Sequence, residues 1–128
     1  MKIRFMSQKS AEHLIPHDNI AIISIVGKES PPRKLKNWKY RLYMYFDDIV
    51  MKIPGRKEFD REDAKKLKAF IKSLPSTVNI IIVHCLMGAS RSAAVAKWLN
   101  EVYKTGDFPL LYMKYNPLVY NILKGGKY

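Results

Sequence analysis

KIRFM at 2–6 and NIAIISIV at 19–26 are short, apolar and rich in β-branched residues, which predicts two strands. SAEHL between them allows one or two helical turns with Ser10 as N-cap. GKESPPRKLKNWKYR then places Gly27, Pro31 and Pro32 in a polar stretch that no regular element tolerates, so it reads as a loop. WKYRLYMYF at 38–46 predicts a third strand, with Trp38, Tyr40, Tyr43 and Tyr45 assigned to core and cross-strand packing. The chain then passes Asp47 and Asp48 and turns at IPGR. From Asp60, DREDAKKLKAFIKSL carries apolar residues at Ala64, Leu67, Phe70, Ile71 and Leu74, the spacing of a helix, with acids in its first turn and Pro75 at its end. VNIIIVHC is nearly uniformly apolar, as in a central strand covered on both faces. The loop CLMGASRS and the helical stretch RSAAVAKWLNEVYK follow. The last helix, NPLVYNILKGG, takes Asn116 as N-cap, Pro117 as its first residue and Gly125 as its stop.

This order predicts one α/β domain over residues 1–128, with a central mixed or parallel sheet flanked by helices. A hydrophobic content of 48% is enough for one core and argues against disorder. Polar residues from Gln8 onward interrupt the N-terminal apolar stretch before it reaches signal-peptide length. The longest apolar run, IAIISIV, falls far short of the roughly 20 residues that cross a bilayer. With a single cysteine, Cys85, neither an internal disulfide nor a multi-cysteine zinc site can form in one chain, and a reducing cytoplasm is the expected compartment. The balance of 23 Lys and Arg against 11 Asp and Glu, net +12, favours anionic partners such as phosphoproteins or nucleic acid.

Cys85 sits at the junction of a buried strand and a helix, where unpaired N–H groups and the helix dipole attract anions. Gly88 allows a turn that a side chain would hinder, and small Ala89 and Ser90 let the N–H groups of residues 86–91 converge. Arg91 offers a planar fork for two phosphate oxygens. The same positive field favours the thiolate of a cysteine over its thiol. Without this context, a lone cysteine after an apolar strand reads as a small core residue.

His84, Cys85, Gly88, Ser90, Arg91 and Ser92 in HCLMGASRS resemble the His-Cys-x5-Arg-Ser/Thr signature of the cysteine-dependent protein tyrosine and dual-specificity phosphatases. These specified positions would coincide in only about one of ten thousand chains of this length. The resemblance implies a reduced dual-specificity phosphatase-like fold and phosphomonoester hydrolysis through a phosphocysteine, without metal or other cofactor. It implies Cys85 as nucleophile, and Arg91 with the loop Leu86, Met87, Gly88, Ala89 and Ser90 as phosphate cradle. Ser92 would donate to the leaving thiolate, and His84 would hold the cysteine's backbone. A general acid is expected upstream. Phe46-Asp47-Asp48-Ile49 resembles the Phe-x-Asp-Ile stretch of small bacterial-type members and points to Asp48, with Asp47 as the alternative. Asp60 and Asp63 have an ordinary explanation in helix capping.

A phosphorylated protein is the expected substrate, phosphotyrosine above all, at a shallow site. An RNA 5′-phosphatase of the same superfamily and a non-catalytic phosphate-binding module are the competing readings. The basic stretch Arg33, Lys34, Lys36, Lys39 and Arg41 either steers an acidic substrate or is a solvated loop. His13 and His17 are assigned to the surface, and Lys65, Lys66, Lys68 and Lys72 to the wet face of their helix.

Overall fold

Four strand-forming runs lie side by side because strands satisfy their backbone groups only by pairing. They are β1 (Lys2–Ser7), β2 (Ile20–Val26), β3 (Tyr40–Tyr45) and β4 (Ile80–Cys85), in the order β1-β4-β2-β3, and every pairing is parallel. The computed structural model describes residues 1–125, so the last residues of the expected 1–128 domain lie outside the described residues. With the four helices α1 (Gln8–Ala11), α2 (Arg61–Ser73), α3 (Arg91–Val102) and α4 (Pro117–Leu123), the described chain forms a single α/β unit. Of the two expected sheet types the parallel one is realised. Four parallel strands bring four carboxyl ends to one edge, and the segments that follow them meet there.

Sequence and structure part over what covers the sheet. α2, α3 and α4 pack on one face, over Ile3, Ile23, Ile25, Leu42, Met44, Ile81 and Val83. The other face, with Ile22 and Ile82, is covered chiefly by the irregular segment 27–39, which buries Trp38 and half-buries Leu35. Pro31 and Pro32 prevent a helix there, so the β2–β3 crossover is a loop plugged by one tryptophan. Arg33 stitches it down: Nε donates to Ser24 Oγ at 2.7 Å, and Nη2 donates to the carbonyls of Ser24 (3.2 Å) and Met44 (2.9 Å). Arg41 is likewise engaged, donating to Asn37 Oδ1 and to the Trp38 carbonyl. The basic stretch is therefore partly structural: Lys34 and Lys36 are exposed, and exposed Lys39 lies 3.9 Å from Asp18 and over the Tyr40 ring.

Three local expectations change. α1 is capped by Ser7, whose hydroxyl accepts from Ser10 N–H, so Ser10 lies inside the helix that it was expected to open. β3 is an edge strand with only one face buried, so Leu42 and Met44 point inward while Tyr43 and Tyr45 are exposed. Tyr43 lies under the Arg33 guanidinium at 4.6 Å. Lys68 is only half exposed, reaching over the Trp98 ring, whereas Lys65, Lys66 and Lys72 are solvated.

The α2 expectation is met in detail. Asp60 and Asp63 form a reciprocal capping box, and Lys57 bridges to both carboxylates, at 3.2 and 2.6 Å. Asp60 and Asp63 are thus committed to a helix start. IPGR makes its turn, with Arg56 N–H donating to the Ile53 carbonyl and Gly55 at φ 77°. His13 and His17 are exposed. Among the described residues no helix is long and apolar enough to cross a membrane.

Leu67 is the fully buried anchor of α2 against the sheet. Leu67→Ala is expected to lower unfolding free energy by about 2–5 kcal/mol in urea titration, whereas Lys65→Ala on the same helix changes it by less than about 0.5 kcal/mol.

Candidate active site

β4 ends at Cys85 between β1 and β2, and its last residues are fully buried. Cys85 Sγ lies 3.1 Å from Ser92 Oγ on the first turn of α3 and accepts from Gly88 N–H at 3.3 Å. The sulfur is thus held by the loop that leaves it and the helix that follows. Gly88 has φ 69°, and a Cβ there would stand 2.3 Å from both Met6 C and Ser7 N. Only glycine satisfies both the backbone angle and this close approach to the end of β1.

The carbonyls of the loop are claimed from outside. Leu86 C=O accepts from Gln8 N–H, Ala89 C=O from the Tyr112 hydroxyl, and Ser90 C=O from the N–H groups of Ala94 and Asn116. A trans peptide is planar, so its C=O and N–H point in opposite directions. Each external donor therefore turns the N–H of Met87, Ser90 or Arg91 away from itself. Among the described residues those three N–H groups have no acceptor. Oriented, unengaged donors at a helix start form an anion nest.

Arg91 is the first residue of α3 and is 7% exposed. Its Nη1 donates to the Phe46 carbonyl at 2.9 Å, while its buried Nε has no partner among the described residues. A charged group withdrawn from water with an unused donor is costly unless an anion takes that donor. Gly27 makes room beside it: a Cβ at Gly27 would stand 2.9 Å from Arg91 Nη1 and 2.6 Å from Asp47 Oδ1.

The two neighbouring aspartates have different environments. Asp47 is 4% exposed, and its oxygens accept from Lys28 N–H at 2.7 Å and Lys57 N–H at 2.8 Å. Burial alone would raise the Asp47 carboxyl. The two backbone donors and the charges of Arg56 and Arg91 outweigh burial and hold it below its ordinary value. Asp47 is therefore a fixed anion bracing two loops. Asp48 is exposed, and its Oδ1 accepts from Ser90 Oγ at 2.7 Å and from Asn116 Nδ2 at 2.8 Å. Asp48, Ile49, Ile53, Arg56, Leu86 and Arg91 help to line a cleft of about 340 Å³. A larger hollow, about 620 Å³, lies on the far side of the 49–53 loop among Val50, Met51, Phe59, Leu118 and Ile122, away from Cys85.

His84 lies directly beneath the loop. It is fully buried with neither ring nitrogen in a well-formed hydrogen bond among the described residues, and the Cys85 backbone lies close enough to the ring to favour its protonated form slightly. Burial first, and then the charge of Arg33, push its pKa down to about 4. It is a neutral core residue beneath Cys85.

Three contributors had no distinct signal in the sequence. Asn116 reads simply as an N-cap, Tyr112 as one aromatic among many, and Gly27 as the start of a loop. No protein-family model matches this chain, and no curated protein matches it by sequence.

For His84 the folded value lies below the unfolded one, so the unfolded chain binds more protons between pH 6.5 and 4. Its contribution is fully present above pH 6.5 and is lost as pH falls towards 4, a difference of about 3 kcal/mol. Urea midpoints measured across that window are expected to fall for the wild type and to fall distinctly less for His84→Gln.

Proposed function

We propose that the chain is a cysteine-dependent phosphomonoester hydrolase of the dual-specificity phosphatase type, working through a phosphocysteine. The observation that carries this reading is the buried, unpartnered Nε of Arg91 beside a loop whose Leu86, Ala89 and Ser90 carbonyls are engaged, with the Cys85 sulfur at its base. That combination offers donors and a nucleophile to one tetrahedral anion.

In the first step the Cys85 thiolate attacks phosphorus, and an S–P bond forms as the P–O bond to the leaving group breaks. Arg91 and the N–H groups of the loop hold the equatorial oxygens, where charge is concentrated in the transition state. Protonated Asp48 gives its proton to the leaving oxygen. In the second step water attacks phosphorus, its proton passes to the Asp48 carboxylate, and the S–P bond breaks. The Ser92 hydroxyl, 3.1 Å from Sγ, donates to the departing thiolate. These steps need neither redox change nor a further reactant. The expected substrates are aryl phosphates, phosphotyrosine in a protein above all.

The RNA 5′-phosphatase reading rests on the net charge of +12 alone. It would show itself as affinity for 5′-phosphorylated RNA falling steeply with salt. A binding module would hold phosphate without turnover.

Wild-type protein is expected to hydrolyse p-nitrophenyl phosphate without added metal, and Cys85→Ser to be inactive while still binding vanadate. Asp48 must be protonated to act, so the wild-type rate falls as pH rises, and Asp48→Asn is expected to lose that limb. Vanadate binding by a wild type inert to aryl phosphates would replace this reading with the binding module.

A further inference from the structure

The end of α4 nearest the cysteine loop carries more than a helix cap. Asn116 is 2% exposed, and each of its polar groups is used. Its side-chain oxygen accepts from Val119 N–H at 3.2 Å, which is the cap itself. Its backbone N–H donates to the Ser90 carbonyl at 3.0 Å. Its amide nitrogen donates to Asp48 Oδ1 at 2.8 Å and to the Ile49 carbonyl at 3.1 Å. Through its side-chain amide and its backbone N–H, this one buried residue ties the segment that bears Asp48 to the loop that bears Cys85 and Arg91.

Resting on the hydrolase reading above, we infer that Asn116 is a positioning residue for the acid, setting which oxygen of Asp48 carries the proton and where that oxygen stands. Oδ1 of Asp48 receives two donors, the Asn116 amide and the Ser90 hydroxyl. An oxygen that accepts from two donors is poorly placed to hold a proton, so the proton belongs on Oδ2. The Asn116 amide also fixes the Ile49 carbonyl, which restrains the backbone beside Asp48. An exposed aspartate on a loop would otherwise spend much of its time turned into water.

The cap and the clamp use different atoms of one side chain, so they can be separated. Serine is as good an N-cap as asparagine, but lacks the amide donor. In Asn116→Ser the helix start is kept and the hold on Asp48 is lost. The test compares phenyl phosphate, whose leaving group needs a proton, with 2,4-dinitrophenyl phosphate, whose leaving group does not. For Asn116→Ser, kcat/KM on phenyl phosphate is expected to fall about tenfold or more, with a change of less than about threefold on the dinitrophenyl ester. In an Asp48→Asn background the same substitution should add no further leaving-group dependence. A purely structural role would lower both substrates equally, and either equal loss or no change overturns the inference while the hydrolase reading stands. A wild type inactive on both esters overturns the reading and the inference together.

Discussion

The close approach of the Cys85–Ser90 loop to the end of β1 is the constraint on which the rest depends. Gly88 lies so near the Met6 and Ser7 backbone that a single methyl group would collide with it. From there the Gln8 N–H, at the start of α1, takes the Leu86 carbonyl. The loop cannot relax outward, and its peptide planes are set by donors that surround it. Parallel pairing of β4 with both β1 and β2 places that wall beside the cysteine, since all strand ends share one edge.

Charge is arranged around the same edge with the two signs kept apart by hydrogen bonding. Asp47 is saturated by backbone donors and lends its negative charge to Arg56 and Arg91, which it helps to hold without occupying the Nε of Arg91. Asp48, one residue later, is exposed and tethered through one oxygen only. Beneath the loop His84 stays uncharged because its surroundings are apolar and Arg33 is near. A neutral imidazole there leaves Arg91 and the helix start as the positive elements facing the anion site.

The fold follows from periodicity with few surprises because the pattern is locally consistent. Strand runs, the capping box of Asp60 and Asp63, and the Asn-Pro start of α4 each carry their own signal. The departures lie where long-range packing decides: helices cover one face of the sheet, and the other is closed by a proline-bearing loop around Trp38. Whether Tyr43 faced core or water depended on β3 being an edge, which no window of residues encodes.

The sequence by itself determined the Cys85–Ser92 loop, since Cys85, Gly88, Arg91 and Ser92 are close in the chain and their arrangement needs only a strand end and a helix start. It also singled out the adjacent pair Asp47 and Asp48. Tertiary structure alone gave the two aspartates different surroundings, because Asp47 is held by Lys28 and Lys57, and Asp48 by Ser90 and Asn116, partners distant in the chain. The same holds for Tyr112 and Asn116, whose donors reach the loop from beyond α3. Local motifs are legible because their geometry is closed within a few residues, whereas orientation of a donor across tens of residues exists only once the chain has folded.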